Sequence, residues 1–172
     1  ASLRGNIIVY QGEELGLEQD EIPFELLQDP EAIANWPLTL SRDGARTPLP
    51  WRNEPLGGFT GGTPWLPLSP ANLARAVAVQ EGDPQSLLHF TRGVLALRKG
   101  NAALRHGALE AIATDGPLLS FDRAWRGERL RCLFNLSGEG IAMPHLPAHE
   151  VLLAVNGARD GALPAWSALL AR

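Results

Sequence analysis

The sequence predicts an α+β chain in which a buried β-strand, a long loop and a helix precede a small antiparallel β-sandwich. Three features predict this order: an apolar run near the amino end, a helical pattern over residues 83–99, and several strand-like segments beyond residue 105. Short strands separated by turn signals at roughly 8–12-residue spacing are typical of a sandwich. We expect two domains, residues 1–104 and 105–172.

The first element is the run Gly-Asn-Ile-Ile-Val-Tyr at residues 5–10. It is rich in β-branched residues, continuously apolar and bounded by glycine, which is the pattern of a strand buried on both faces of a parallel sheet. One such strand cannot make a sheet, and an unpaired apolar strand is a template for edge pairing. We therefore expect the isolated chain to self-associate through residues 5–10.

A long loop follows. Eight prolines and two Gly-Gly pairs interrupt any helix between Gln11 and about Pro70. A loop of this length is normally functional or disordered. Its aromatic residues argue for order, because disordered segments are poor in aromatics. They are Trp36, Trp51, Phe59 and Trp65.

Residues 83–99 show the clearest helical pattern. Asp83 is the expected N-cap, Pro84 the first helical residue, and a basic turn precedes Gly100. A shorter helix is expected over residues 72–80. The predicted strands are residues 108–114, 118–121, 128–136, 150–155 and 166–171.

Composition argues against several classes of function. The 172 residues fall short of the roughly 250 that a complete (β/α)₈ barrel needs. The net charge of -4, with a single lysine, argues against nucleic acid as a partner. No apolar run approaches the roughly 18 residues of a membrane span. The lone Cys132 rules out an intrachain disulfide and fits a reducing compartment, so we expect a cytoplasmic protein.

We also expect no metal and no cofactor. His145 and His149 lie four residues apart, but Pro144 and Pro147 beside them oppose a helical pair of ligands. The sequence contains neither a phosphate-binding glycine loop nor a Gly-x-Ser-x-Gly elbow.

Glu13 and Glu14 are the first candidate functional residues. Retaining glycoside hydrolysis uses two carboxyl groups about 5–5.5 Å apart. Neighbours on an extended chain point to opposite faces, so these two are not expected to flank one bond. The alternative is one solvated and one hydrogen-bonded carboxylate.

The second candidate is the segment 41–51, Ser-Arg-Asp-Gly-Ala-Arg-Thr-Pro-Leu-Pro-Trp. Its arginines, Arg42 and Arg46, could pair with a carboxylate or bind sugar hydroxyls through the guanidinium fork. Chemistry alone leaves two interpretations open. Either an arginine closes the loop by pairing with Asp43, or it contacts a ligand.

Several motifs, in this order, resemble one enzyme family. They are residues 10–16 (Tyr-Gln-Gly-Glu-Glu-Leu-Gly), Asp29-Pro30, Trp36-Pro37, 42–51, 58–60, Pro64-Trp65, 83–88, 97–99, 133–139 and 163–166. The first resembles the segment that ends the eighth barrel strand in α-glucosidases of glycoside hydrolase family 13. The pattern Arg-Asp-x-x-Arg-Thr-Pro-x-x-Trp is specific for the α-glucosidase and oligo-1,6-glucosidase branch. The last motif resembles the opening of the family's final strand, so we expect the chain to stop at the natural terminus.

The resemblance implies the last strand, long loop and closing helix of a (β/α)₈ barrel, followed by the carboxy-terminal sandwich. Family members hydrolyse terminal α-linked glucose with retention, and their three catalytic carboxylates would lie upstream of Ala1. Arg42 matches the arginine that holds the terminal glucose and pairs with a nearby Asp. Arg46 matches a residue nearer the leaving-group side or the loop's own scaffold.

Glu13 follows the predicted strand, at the end where barrel active sites lie. We therefore expect three substrate-binding residues, Arg42, Arg46 and Glu13, and no catalytic residue in this chain. The parent's ligand would be an α-glucoside oligosaccharide. Two alternatives remain open: a non-catalytic carbohydrate-binding or interaction module, and a degenerate homologue that acts as an assembly partner.

Overall fold

The computed structural model describes residues 1–143, 145–146 and 150–172. Contacts between Cα atoms divide the chain into two compact units. One is Ile8–Gly93, and the other joins Ala1–Ile7 to Val94–Arg172.

The unit Ile8–Gly93 is built from short helices joined by loops. Its helices are α1 (Pro30–Ala34), α2 (Pro70–Leu73), α3 (Val77–Glu81) and four 3₁₀ turns at Glu13–Leu15, Phe24–Leu26, Arg42–Ala45 and Pro55–Gly58. Proline opens two of the α-helices because its missing N–H costs nothing at that position, and Asp29 and Ser69 cap them. A small apolar core lies beneath the loop: Ile22, Leu27, Ala32 and Leu66.

The strand predicted at residues 5–10 does not form in this structure. Ile8 is 90% exposed, and Val9 and Tyr10 are also exposed. A parallel strand satisfies its main-chain groups only through neighbouring strands, and no strand lies within the unit Ile8–Gly93. The apolar pattern is present, but the partners that would turn it into a strand are absent from the described residues.

The long helix, α4, spans Leu87–Gly100 and begins later than predicted. Ser86 Oγ accepts the N–H of His89 at 3.4 Å, which is the capping contact predicted for Asp83. Asp83 instead accepts the N–H of Gln85 at 2.9 Å in the preceding turn.

The single helix predicted at residues 72–80 is also wrong, because α2 and α3 are separated there. Ala76 has an extended backbone (ψ 150°). The first N–H groups of α3 donate to loop carbonyls, Val77 to Pro50 and Ala78 to Trp51, each at 3.0 Å. These tertiary hydrogen bonds take the place of a continuous helical ladder.

The unit that contains Val94–Arg172 holds the predicted antiparallel sandwich. Its main sheet has the strand order β1-β2-β3-β7-β5, and β4 pairs with β6 in a second, two-stranded sheet. The strands are β1 (Ala108–Asp115), β2 (Leu118–Trp125), β3 (Glu128–Asn135), β4 (Ile141–Ala142), β5 (Val151–Val155), β6 (Ala162–Leu163) and β7 (Ala168–Ala171). The α+β class and all five predicted strands of the sandwich are confirmed, although β2 is longer and β7 shorter than predicted.

The sandwich core packs one short helix against the main sheet. Helix α5 (Ala102–His106) contributes Ala103 and Leu104. They pack against four buried strand residues, Phe121, Leu130, Cys132 and Leu170. Burial raises the pKa of the Cys132 thiol to about 12.

A fully buried arginine ties the amino-terminal residues to this unit. Arg123 donates to the carbonyl of Ser2 and, at 2.9 Å, to that of Gly107. Burial of the guanidinium lowers the pKa of Arg123.

None of the helices that the structure describes has the length and apolar character of a membrane span.

Candidate functional site

The segment 41–51 begins with a capped 3₁₀ turn that presents both candidate arginines. Ser41 Oγ accepts the N–H of Asp43 at 3.0 Å, and the N–H of Arg46 donates to the Asp43 carbonyl at 2.8 Å. Serine at an N-cap is a local signal. The turn Arg42–Ala45 thus follows directly from the sequence.

Arg42 forms a bidentate ion pair with Asp29. Arg42 Nε donates to Asp29 Oδ2 at 2.8 Å, and Nη2 donates to Oδ1. The Asp29 side chain is 0% exposed, whereas the Arg42 side chain is 60% exposed. The guanidinium holds the pKa of Asp29 well below its ordinary value and has its own pKa raised in return. The Nε and Nη2 edge of the Arg42 guanidinium is therefore held by Asp29, while the side chain as a whole stays exposed to solvent.

Asp43 is the residue that the sequence offers as an ion-pair partner for an arginine of this segment. It does not pair with Arg42. Its Oδ2 accepts the main-chain N–H groups of Gln28 and Asp29 at 2.6 and 2.8 Å. Its Oδ1 lies 3.8 Å from Arg46 Nη1. Asp43 thus anchors the segment that carries Asp29, and among the described residues only Arg46 is near enough to it for an ion pair.

A close backbone approach fixes the far side of the same turn. The N–H of Asp20 donates to the Gly44 carbonyl at 3.0 Å. A Cβ atom added to Gly44 would lie 2.1 Å from the Asp20 carbonyl oxygen. Glycine is required here because no side chain fits between the two backbones.

Two clefts run along the turn and share the residues Gln11, Thr47 and Leu49. The first, about 200 Å³, is also lined by Glu13. The second, about 240 Å³, is also lined by Arg46, Phe59 and Trp65. Arg42 lines neither cleft. The structure therefore places Glu13 and Arg46 in adjoining clefts, with Arg42 at the other end of the 3₁₀ turn.

Glu13 and Glu14 lie in a 3₁₀ turn and not on an extended chain. Glu13 Oε2 accepts the N–H of Tyr10 at 3.2 Å, and Glu14 Oε2 accepts the N–H of Gly12 at 2.8 Å. Both carboxylates therefore bind the backbone of their own turn. Glu13 is exposed to solvent and Glu14 is half-buried, which agrees with the alternative of one solvated and one hydrogen-bonded carboxylate.

The histidine pair considered for metal binding is only partly described. His145 Nδ1 lies 3.0 Å from Asp160 Oδ2, and His149 lies outside the described residues. Within the ranges 1–143, 145–146 and 150–172, no group of three His, Cys, Asp or Glu side chains could hold a metal ion.

Sequence reasoning missed the partners that position this site. In the sequence Asp29 stands in an Asp-Pro motif, which is an N-cap signal before Pro30 but does not indicate the contact with Arg42. Asn72 was not singled out, yet it is buried and its Nδ2 donates to Glu18 O and Asp20 Oδ2 at 2.9 and 3.1 Å. No local pattern identifies such a long-range amide contact.

Comparison with known proteins shows which family shares this organisation. The alpha-amylase catalytic domain profile matches residues 1–107, and that of a domain of unknown function, DUF3459, matches residues 105–170. The chain is 48% identical over 177 residues to a probable alpha-glucosidase of Rhizobium meliloti (strain 1021), in an alignment that covers 99% of this chain and 32% of that protein. It is 33% identical over 135 residues to probable oligo-1,6-glucosidase 2 of Bacillus subtilis (strain 168), which covers 68% of this chain and 24% of that protein.

A solved structure agrees with these sequence matches. The alpha-glucosyl transfer enzyme XgtA shares 43% identity at a TM-score of 0.84, over 99% of this chain and 34% of that one. The chain thus spans about a quarter to a third of the length of the relatives it matches. It belongs to the α-amylase family of glycoside hydrolases, family 13, and matches the carboxy-terminal part of that family's α-glucosidase and oligo-1,6-glucosidase members.

Proposed function

We propose that this chain supplies the substrate-lining loop and the carboxy-terminal sandwich of a retaining α-glucosidase that releases terminal α-linked glucose from short oligosaccharides. The observation that carries the proposal is Arg42, an exposed guanidinium held by the buried carboxylate of Asp29. The names of the similar proteins, a probable alpha-glucosidase and an oligo-1,6-glucosidase, support the substrate class.

The carboxylates that break the glycosidic bond would come from the rest of the barrel. Retaining hydrolysis needs a nucleophile and an acid/base about 5–5.5 Å apart. In this chain the adjacent pair Glu13 and Glu14 is engaged by its own turn. We therefore propose that the chain by itself is inactive and that its contribution is binding and orientation.

Arg42 is suited to orienting a sugar ring. Two of its donors, Nε and Nη2, bind Asp29, and Nη1 has no hydrogen-bond partner among the described residues. A charged donor held in a fixed direction can bind a sugar hydroxyl at a small further loss of side-chain entropy. Arg46 and Glu13 would contact the sugar from the two adjoining clefts.

The test compares this 172-residue chain with the full-length protein that carries the upstream barrel. We expect hydrolysis of an aryl α-glucoside by the full-length protein and none by the chain. Turnover by the purified chain would overturn the division of roles.

Arg42→Ala in the full-length protein should lower kcat/KM by about 100-fold, because a substrate-orienting contact is lost. The matched control is Arg52→Ala, since Arg52 is 65% exposed and pairs with Glu54 at 3.3 Å. Unchanged kinetics for Arg42→Ala would remove its orienting role.

Exposed aromatic rings favour a second candidate function, a non-catalytic carbohydrate-binding module. Phe59 and Trp65 are exposed beside the cleft lined by Arg46, and aromatic faces can stack on sugar rings. Calorimetry with glucose and maltose on the 172-residue chain tests this function. Saturable binding together with an inactive full-length protein would favour the module over the hydrolase.

We also propose a cytoplasmic location, on the basis of the lone, buried thiol of Cys132. A thiol without a disulfide partner fits a reducing compartment. Fractionation of the source cells tests this, and recovery of the protein outside the cytoplasm would contradict it.

A further inference from the structure

Asp29 and Asp43 form an interlocked pair of carboxylates beneath the exposed Arg42. The Asp43 carboxylate accepts the main-chain N–H of Asp29 at 2.8 Å. The Asp29 carboxylate accepts the main-chain N–H of Arg42, the residue before Asp43, at 3.1 Å. Each aspartate thus fixes the backbone that carries the other.

Both carboxylates are buried, since the side chains of Asp29 and Asp43 are each 0% exposed. Burial of a charge costs free energy unless partners compensate it. Arg42 compensates Asp29 through two side-chain hydrogen bonds. Asp43 receives two N–H groups on Oδ2, whereas its Oδ1 has no hydrogen-bond partner within the described ranges.

Stabilising the fold of the loop does not by itself require a buried ion pair between Asp29 and Arg42. Well-packed apolar side chains of similar volume often replace a buried ion pair with no loss of stability. The arrangement does control direction, because a bidentate contact between two planar groups fixes the orientation of the guanidinium. An arginine held in this way keeps Nη1 in one position.

We propose that the Asp29–Asp43 pair is the positioning element for Arg42. Asp29 sets the direction of the guanidinium, and Asp43 sets the position of Asp29 through its main-chain N–H. The inference rests on the proposed function, in which Arg42 orients the terminal glucosyl unit. Neither aspartate itself touches the sugar.

The experiment is a double-mutant cycle on kcat/KM in the full-length protein, with Asp29→Asn, Arg42→Ala and the double variant. We expect Asp29→Asn alone to lower kcat/KM about 10–100-fold. In the Arg42→Ala background the same substitution should change kcat/KM by less than about 3-fold, because the guanidinium that Asp29 positions is already absent. Multiplicative effects of the two substitutions would show a separate structural role for Asp29 and overturn the proposal.

Two further variants serve as a control and as a replacement for Asp29→Asn. Glu25→Gln is the charge-matched control, because Glu25 is exposed on the same loop, and it should leave kcat/KM unchanged. If Asp29→Asn does not fold, as judged by circular dichroism, Asp43→Asn takes its place. The neutral amide oxygen of that variant accepts the N–H groups of Gln28 and Asp29 more weakly than the carboxylate does, so Asp29 is held less firmly, and its cycle with Arg42→Ala should show the same coupling in a smaller effect.

The outcomes separate the two proposals. No hydrolysis by the full-length wild type, or normal kinetics of Arg42→Ala, removes the proposed function and this inference with it. An impaired Arg42→Ala beside a normal Asp29→Asn overturns the positioning role alone.

Discussion

Asp29 and Arg42 lie 13 residues apart in the chain and meet in a bidentate contact, with Arg42 Nε 2.8 Å from Asp29 Oδ2. The acid is buried and the base is exposed. The same Asp29 side chain also caps helix α1, because its Oδ1 accepts the N–H of Glu31 at 3.3 Å. One carboxylate therefore joins the start of a helix to the turn that presents the candidate ligand-binding arginine.

This contact makes stability depend on pH in acid. Arg42 holds the pKa of folded Asp29 below the ordinary value of 3.8, so the stabilisation is complete above that value and is lost as pH falls below it. We expect the stability advantage of the wild type over Asp29→Asn to be constant from pH 7 to about 5 and to shrink below about 4. Urea unfolding of both proteins across this range measures the difference. An advantage that stays unchanged down to pH 3 would contradict the prediction.

Gly44→Ala should destabilise the unit Ile8–Gly93. The added Cβ would lie 2.1 Å from the Asp20 carbonyl oxygen, so the backbone must move and its hydrogen bond to Asp20 is strained. We expect a loss of about 2 kcal/mol or more in the free energy of unfolding. Gly61→Ala is the control, because no atom lies within 4 Å of its added Cβ. Equal unfolding transitions for the two variants would refute the close approach at Gly44.

Cys132 should resist alkylation in the folded protein. Its thiol is buried, and a pKa of about 12 leaves it protonated at neutral pH. At pH 8 the thiolate fraction would be about 10⁻⁴, so iodoacetamide should react with the native chain far more slowly than with the denatured chain. Mass spectrometry of samples with and without guanidinium reports the labelling. Rapid labelling of the native chain would show that the sandwich core opens.

The isolated chain should self-associate through its exposed apolar segment. Ile8 is 90% exposed, and its neighbours Ile7 and Val9 are exposed as well. Sedimentation should show oligomers of the 172-residue chain that Ile8→Lys disperses. Leu38→Lys is the control, because Leu38 is 86% exposed but lies outside the segment. A monodisperse wild-type monomer would contradict the expectation.

The sequence predicts the strands of the main sheet and the turn between β2 and β3. Strands β2 and β3 were predicted because apolar residues there are bounded by turn residues. Arg126 and Gly127 between them adopt positive φ values of 49° and 91°, the requirement of a type I′ hairpin. The two-residue strands β4 and β6 were not predicted, since two residues are too few to show an alternating pattern.

The partners of the candidate residues depend on tertiary contacts. The sequence indicated Arg42 and Arg46, but left open whether an arginine pairs with Asp43. The structure pairs Arg42 with Asp29 and brings Arg46 to 3.8 Å from Asp43. It gives residues 5–10 no strand neighbour in the part of the chain that it describes. A turn such as Arg126-Gly127 depends on residues next to one another in the chain, so a sequence can reveal it. Ion pairs and strand pairing depend on segments that meet only when the chain is folded.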